Sequence, residues 1–162
     1  MALCLFPLPS LACTPCQKVP TPYEAYQIAD LVIVGRSLNL PRKTDRQTPT
    51  HLKVRTILKK GENIQGLPQT LDIPAYYDDC RYGLLLPPGQ DYMVFLKKIE
   101  NSWATFECKA RELEINNGKI RLNGKVLTPQ KWILEWKNLM ENEKLRRARE
   151  NEILESKSST NP

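Results

Sequence analysis

The placement of cysteine constrains this chain most. Cys13 and Cys16 lie close together near the start, Cys80 and Cys108 lie far along, and Cys4 stands in an apolar leader. Ser10-Leu11-Ala12 directly before Cys13 reads as a small-residue cleavage site behind the apolar run Leu3 to Leu11. Residues 1–12 are therefore expected to be a signal or leader segment that carries Cys4 away. Four cysteines then remain, and an even number in an exported chain implies a disulfide framework rather than free thiols. Four cysteines allow three pairings, and spacing alone does not choose among them.

The length of 162 residues suits one domain with a core able to stand alone, so disulfides would reinforce the fold rather than replace its core. No apolar stretch approaches the roughly 18 residues of a membrane span, so no transmembrane span is expected. A net charge of +6 permits contact with acidic surfaces or polyanions. Zinc-finger spacing, an RNP-type aromatic motif and a Gly-rich phosphate loop are all missing, and nucleic acid is not an expected partner.

Along the chain, Pro15, Pro20 and Pro22 mark an extended arm, and Thr21 followed by Pro22 opens a short helix reaching Asp30. Leu31 to Ser37 is a short β-branched run that reads as a buried strand, with Gly35 near a bulge. Arg42, Lys43 and Arg46 lie in an exposed basic loop flanked by Pro41 and Pro49. His51 to Lys59 alternates through Leu52, Val54, Thr56 and Leu58, as a half-buried strand does. Gln69 to Pro74 and Asp91 to Lys97 are further strands, the second after the Pro87-Pro88-Gly89 turn.

Beyond Cys108, Leu113 and Ile115 match Ile120 and Leu122 at period two across Asn117-Gly118, which predicts a hairpin; Asn123-Gly124 is a second turn. Thr128-Pro129 is a helix start, and Trp132, Trp136, Leu139 and Met140 form the face expected to dock on the sheet. Past Glu141 the apolar stripe gives way to mixed charge, with Glu143 four residues before Arg147. Residues 141–162 are expected to be a solvated helical extension, frayed from Ser156 onward. Short strands with a capping helix predict a mainly β fold over residues 13–140: an OB-fold-like, five-stranded Greek-key barrel with a short N-terminal and a long C-terminal helix.

At this point the chain resembles a known family, the netrin-like module, whose best-known members are the tissue inhibitors of metalloproteinases. The resemblance runs from Cys13 to about Leu139. It is carried by the paired cysteines of the N-terminal arm and by Ala29-Asp30-Leu31-Val32-Ile33 after a short helix. Leu58-Lys59-Lys60-Gly61, Cys80-Arg81-Tyr82, Phe95-Leu96 and Cys108 continue it. The family pattern implies Cys13–Cys80 and Cys16–Cys108 disulfides, which would pin the Pro-rich arm. Each long-loop bridge is worth ~4 kcal/mol on the chain-entropy model.

The resemblance also implies a mechanism. In the inhibitors, the first cysteine's α-amino nitrogen and carbonyl oxygen chelate the zinc of a target protease. Carried over, Cys13 is the clamp, Thr14 enters the pocket beside the metal, and Asp79, Cys80 and Arg81 form the second edge. A zinc with one open position suits such a bidentate clamp, and an α-amino pKa of ~7.7–8.0 makes the neutral amine accessible. This sequence departs from the pattern in having both Thr14 and Pro15 between its first cysteines, and its helix from Pro129 is expected to stand in place of the third disulfide and cysteine-rich second domain of the inhibitors. The expectation is a secreted or extracytoplasmic protein, not an enzyme, with no cofactor or metal of its own, that binds a protein partner such as a zinc metalloprotease. The alternative is a non-inhibitory cell-surface or matrix module.

Other readings of the same residues carry less. Cys13-Thr14-Pro15-Cys16 also fits the C-x-x-C of a thiol oxidoreductase, but that chemistry wants a preceding strand and a following helix, and Pro-rich sequence follows here. His51, the only histidine, begins a strand, which leaves no ordinary His-based hydrolase. Tyr76, Tyr77, Asp78 and Asp79 read either as a surface turn or as a contact edge. Arg42, Lys43 and Arg46 are solvated charges in the simplest reading, with polyanion contact the other.

Overall fold

Pro22–Ile28 forms the first helix, α1. Its start is a full capping box: the Thr21 side chain accepts from the Glu24 amide at 3.3 Å, and the Thr21 amide donates to the Glu24 carboxylate at 2.7 Å. The helix ends as the Asp30 amide turns to the Leu96 carbonyl, and the chain enters strand β1, Leu31–Ser37. The computed structural model describes residues 21–40, 48–74, 84–105 and 112–158.

β1 is the central strand. It pairs antiparallel with β2 (Thr50–Lys60) on one side and with β4 (Asp91–Ile99) on the other. β2 pairs with β3 (Thr70–Ile73), and β4 pairs with β5 (Ser102–Ala104), so the order is β3-β2-β1-β4-β5. β3 and β5 then lie against each other, nearly closing a five-stranded antiparallel barrel, as expected of an OB-like Greek key. β6 (Glu112–Ile115) extends the sheet along the first half of β4.

The continuous apolar runs of β1 and β4 follow from burial on both faces. Leu31, Ile33, Val94 and Leu96 point into the barrel with Leu52, Leu71 and Ile73. Val32, Met93 and Phe95 point outward into a second core with Ala25 and Tyr26 of α1, Ile115, Ile120, Trp132 and Ile133. A strand in that position has no solvent face to alternate with.

β2 does not keep the simple alternation expected of it. Register shifts oppose Val32/Ile33 and Val34/Gly35, so Leu58 and Arg55 are each an extra residue on β2. Leu58 consequently packs on the outer cluster while Leu52 and Val54 pack on the inner one, and Thr56 is exposed. The bulge beside Gly35 also lies in a tight spot, where a Cβ would meet Ile33 Cδ1 at 3.3 Å.

The Asn-Gly turns form, but the pairing around them differs from expectation. Across Asn117-Gly118 only Asn116 and Lys119 bridge, because β6 spends its ladder on β4. The regular hairpin is β7 (Ile120–Leu122) with β8 (Lys125–Leu127), across Asn123-Gly124. All four turn residues have φ between 49° and 77°, as a type I′ turn requires.

Thr128 starts helix α2, Pro129–Ser158, accepting the Lys131 amide on its hydroxyl at 3.3 Å and the Trp132 amide on its carbonyl at 2.9 Å. Trp132 and Ile133 are buried, and Trp136 and Met140 are half-buried. Leu139, expected in the docked face, is 58% exposed although it lies two turns beyond buried Trp132 on nearly the same side: the apolar cluster takes in α2 only as far as Trp136. The helix continues through Ser158, past the point where fraying was expected, and Glu143 pairs with Arg146 and Arg147 along it. Among the described residues no helix is long and apolar enough to cross a membrane.

Candidate binding edge

One end of the barrel gathers the end of β1, the starts of β2 and β4, and the end of β3. Two connections leave from it, residues 41–47 between β1 and β2 and residues 75–83 after β3. The base of the second is closed, since the Leu84 amide donates to the Pro74 carbonyl at 3.2 Å. Leu84 and Leu86 are buried in the barrel and plug this end of it.

Two buried hydroxyls lock that plug to the strands. Thr50 Oγ1 donates to the Leu84 carbonyl, and Ser37 Oγ lies 3.0 Å from the carbonyl oxygens of both Leu86 and Asn39. A third side chain closes the base of the first connection. Asn39 Nδ2 donates to the Pro49 carbonyl at 2.8 Å, and its Oδ1 accepts the His51 amide at 2.7 Å. His51 Nδ1 meets Asp72 Oδ1 at 2.6 Å across β2 and β3. Ser37 therefore joins the bases of both connections in one hydrogen-bonded unit.

Beside this end, the outer face of the sheet changes character. Under the helices it is apolar; beyond Val34 it carries charge. Asp91 accepts a two-pronged interaction from Arg36, Nε to Oδ1 at 2.8 Å and Nη2 to Oδ2 at 3.1 Å. Arg55, the extra residue of a β2 bulge, brings its Nε within 3.5 Å of the same carboxylate. The Arg36 hydrogen bond holds the Asp91 carboxyl below its ordinary value, with the charges of Arg36 and Arg55 adding to it against burial. Lys53 stands directly opposite Arg36 in the ladder.

The sequence-derived site residues Cys13, Thr14, Cys16, Asp79, Cys80, Arg81 and Cys108 all lie outside the described residues, as do Cys4, Tyr76, Tyr77 and Asp78. So do Arg42, Lys43 and Arg46 of the basic loop. What is described is the frame from which those segments leave. Ser37, Asn39, Thr50 and the Arg36–Asp91–Arg55 cluster were not singled out from sequence. Only Arg36 left a signal there, as the polar continuation of Val32 and Val34 at period two.

Among the described residues, no group of three or more His, Cys, Asp or Glu side chains is arranged to hold a metal ion. Comparison with family models, with curated proteins and with solved structures gives no match.

Proposed function

We propose that this protein is an extracytoplasmic, disulfide-braced binding domain that seats a protein partner on the barrel end from which residues 41–47 and 75–83 depart. The observation that supports it is the locking of both loop bases by Ser37, Asn39 and Thr50. A pre-set take-off geometry lowers the ordering cost that a loop-borne contact must otherwise meet on binding.

The sharpest form of this reading is metalloprotease inhibition, following the netrin-like resemblance. Cys13 would offer its α-amino nitrogen and carbonyl oxygen to the target's zinc, with Thr14 in the adjoining pocket and Asp79, Cys80 and Arg81 along its rim. Cys13–Cys80 and Cys16–Cys108 bridges would hold the clamp against the barrel. The domain does no chemistry itself; it occupies the open metal position that the protease needs for its water.

The deciding experiment assays protein beginning at Cys13 beside a form carrying one added alanine, against a panel of zinc metalloproteases. Inhibition lost on extension, with the fold intact by circular dichroism, is the expected outcome. Equal inhibition by both forms, or none by either, rules out the amine clamp. Peptide mapping of the exported protein tests the bridges, and a Cys13–Cys16 bond would instead favour thiol exchange.

A further inference from the structure

Among the described residues, the charged cluster on β1, β2 and β4 holds more cationic capacity than its carboxylate takes up. Arg36 and Arg55 both reach the carboxylate of Asp91, and Lys53 stands opposite Arg36 in the ladder. Arg36 occupies both carboxylate oxygens, so Arg55 at 3.5 Å is left with a long, single-pronged contact, and Lys53 is exposed. Arg36 and Arg55 side chains are 40% and 44% exposed, which leaves guanidinium edges open to solvent. Lys53 and Arg55 stand two residues apart on β2, and the period-two alternation puts both on the face opposite Leu52 and Val54.

The same flank exposes large apolar side chains. Leu38 and Leu40 follow Arg36 at period two and are 49% and 56% exposed. Leu38 is held in line by its amide hydrogen bond to the His51 carbonyl. Cations on β1 and β2 beside exposed leucines at the end of β1 differ from a purely electrostatic surface. A sulfated polysaccharide would use the charges and leave the leucines in water, whereas a protein segment can use both.

We infer that the flank formed by Arg36, Leu38, Leu40, Lys53 and Arg55 is a docking surface for an acidic segment of a protein partner, with apolar side chains between its carboxylates. A partner carboxylate would take the guanidinium edges that Asp91 leaves open, and a neighbouring apolar side chain would cover Leu38. Self-association through this flank is opposed, because a second copy would bring like charges together. The inference deepens the protein-binding reading but makes no use of Cys13, so its failure leaves the inhibition assay unaffected.

The test uses a short synthetic peptide of alternating Glu and Leu, its Gln-for-Glu counterpart, and a sulfated oligosaccharide. Binding to the isotope-labelled full chain is followed by amide chemical shifts at low and physiological salt. The Glu peptide is expected to shift the amides of Arg36, Leu38, Lys53 and Arg55 and to bind more weakly as salt rises. Its Gln counterpart should leave them in place. Lys53→Gln with Arg55→Gln is expected to lower affinity about tenfold, and Leu38→Ser severalfold, without altering the fold. Three results would overturn the inference: shifts confined to the charged end of α2, affinity unchanged by the double variant, or a response to the oligosaccharide alone.

Discussion

Lys59 Nζ donates to the main-chain carbonyl oxygens of both Tyr26 and Gln27, each at 2.9 Å, and stands 5.3 Å from the centre of the Tyr26 ring. A β2 side chain thereby satisfies the last turn of α1, where a cation also meets the negative end of the helix. Burial pulls the ammonium below the ordinary lysine value, against the opposing pull of Asp30. Lys59→Met keeps the aliphatic stem and removes the donors. It should cost about 1–2 kcal/mol in chemical denaturation, and hydrogen exchange should quicken in α1 before it does in β4.

Thr50→Val retains shape but leaves the Leu84 carbonyl without its hydroxyl donor inside the barrel end. The expected loss is about 1–3 kcal/mol, read from denaturant midpoints at unchanged slope. Ser37→Ala should act in the same direction. Wild-type stability in both variants would mean that the plug is held by Leu84 and Leu86 packing alone.

The two tryptophans of α2 should differ in weight. Trp132 is 1% exposed and stacks on Tyr23 with ring centroids 4.8 Å apart, whereas Trp136 is half-buried at the edge of the same aromatic group. Trp132→Ala is expected to cost about 3–5 kcal/mol and Trp136→Ala about 1–2 kcal/mol. Among the described residues the buried indole Nε1 of Trp132 has no hydrogen-bond partner, so Trp132→Phe should be far milder than truncation to alanine. Thermal melts of the three variants order these effects.

Truncation after Asn142 removes a stretch whose visible contacts are within the helix itself, between Glu143, Arg146, Arg147 and Glu150. The melting temperature of the barrel should stay within a degree or two, since surface ion pairs of this kind contribute little. A large drop would show that the extension packs on the barrel.

Acid should act on that extension first. Hydrogen bonds from Arg146 and Arg147 hold the Glu143 carboxyl down at about 2. A carboxyl lowered on folding supports the helix above its unfolded value near 4.5 and loses that support as pH falls toward 2. Far-UV circular dichroism should therefore lose helical signal across that window, and added salt should blunt the change. The truncated protein should not show it.

Much of the frame was legible because its signals are local. Thr21-Pro22 and Thr128-Pro129 announce both helices, the Leu31–Ser37 run announces a buried strand, and Asn123-Gly124 announces a turn, though not the hairpin it closes. β5 escaped notice because Ser102-Trp103-Ala104 is too short to display a period. Leu139 misled because hydrophobic type says nothing of where a helix leaves its sheet. The pairing of β6 with β4 rather than β7 was hidden for another reason: a turn fixes which residues bend, and competition for partners fixes which ladder grows. The loop-base locks were invisible, since nothing local links Ser37 to Leu86 or Thr50 to Leu84.

The parallel stack of Tyr23 on Trp132, 4° from coplanar, joins α1 to α2. During synthesis, α1 and the outer face of β1 leave the ribosome long before Trp132 exists to cover them. Until α2 arrives, Ala25, Val32, Met93 and Phe95 lack part of their packing. The outer of the two cores therefore stays incomplete until nearly the whole domain has emerged, whereas the inner one has all its residues by Trp103. Through that interval the half-covered outer face is the surface a chaperone would meet.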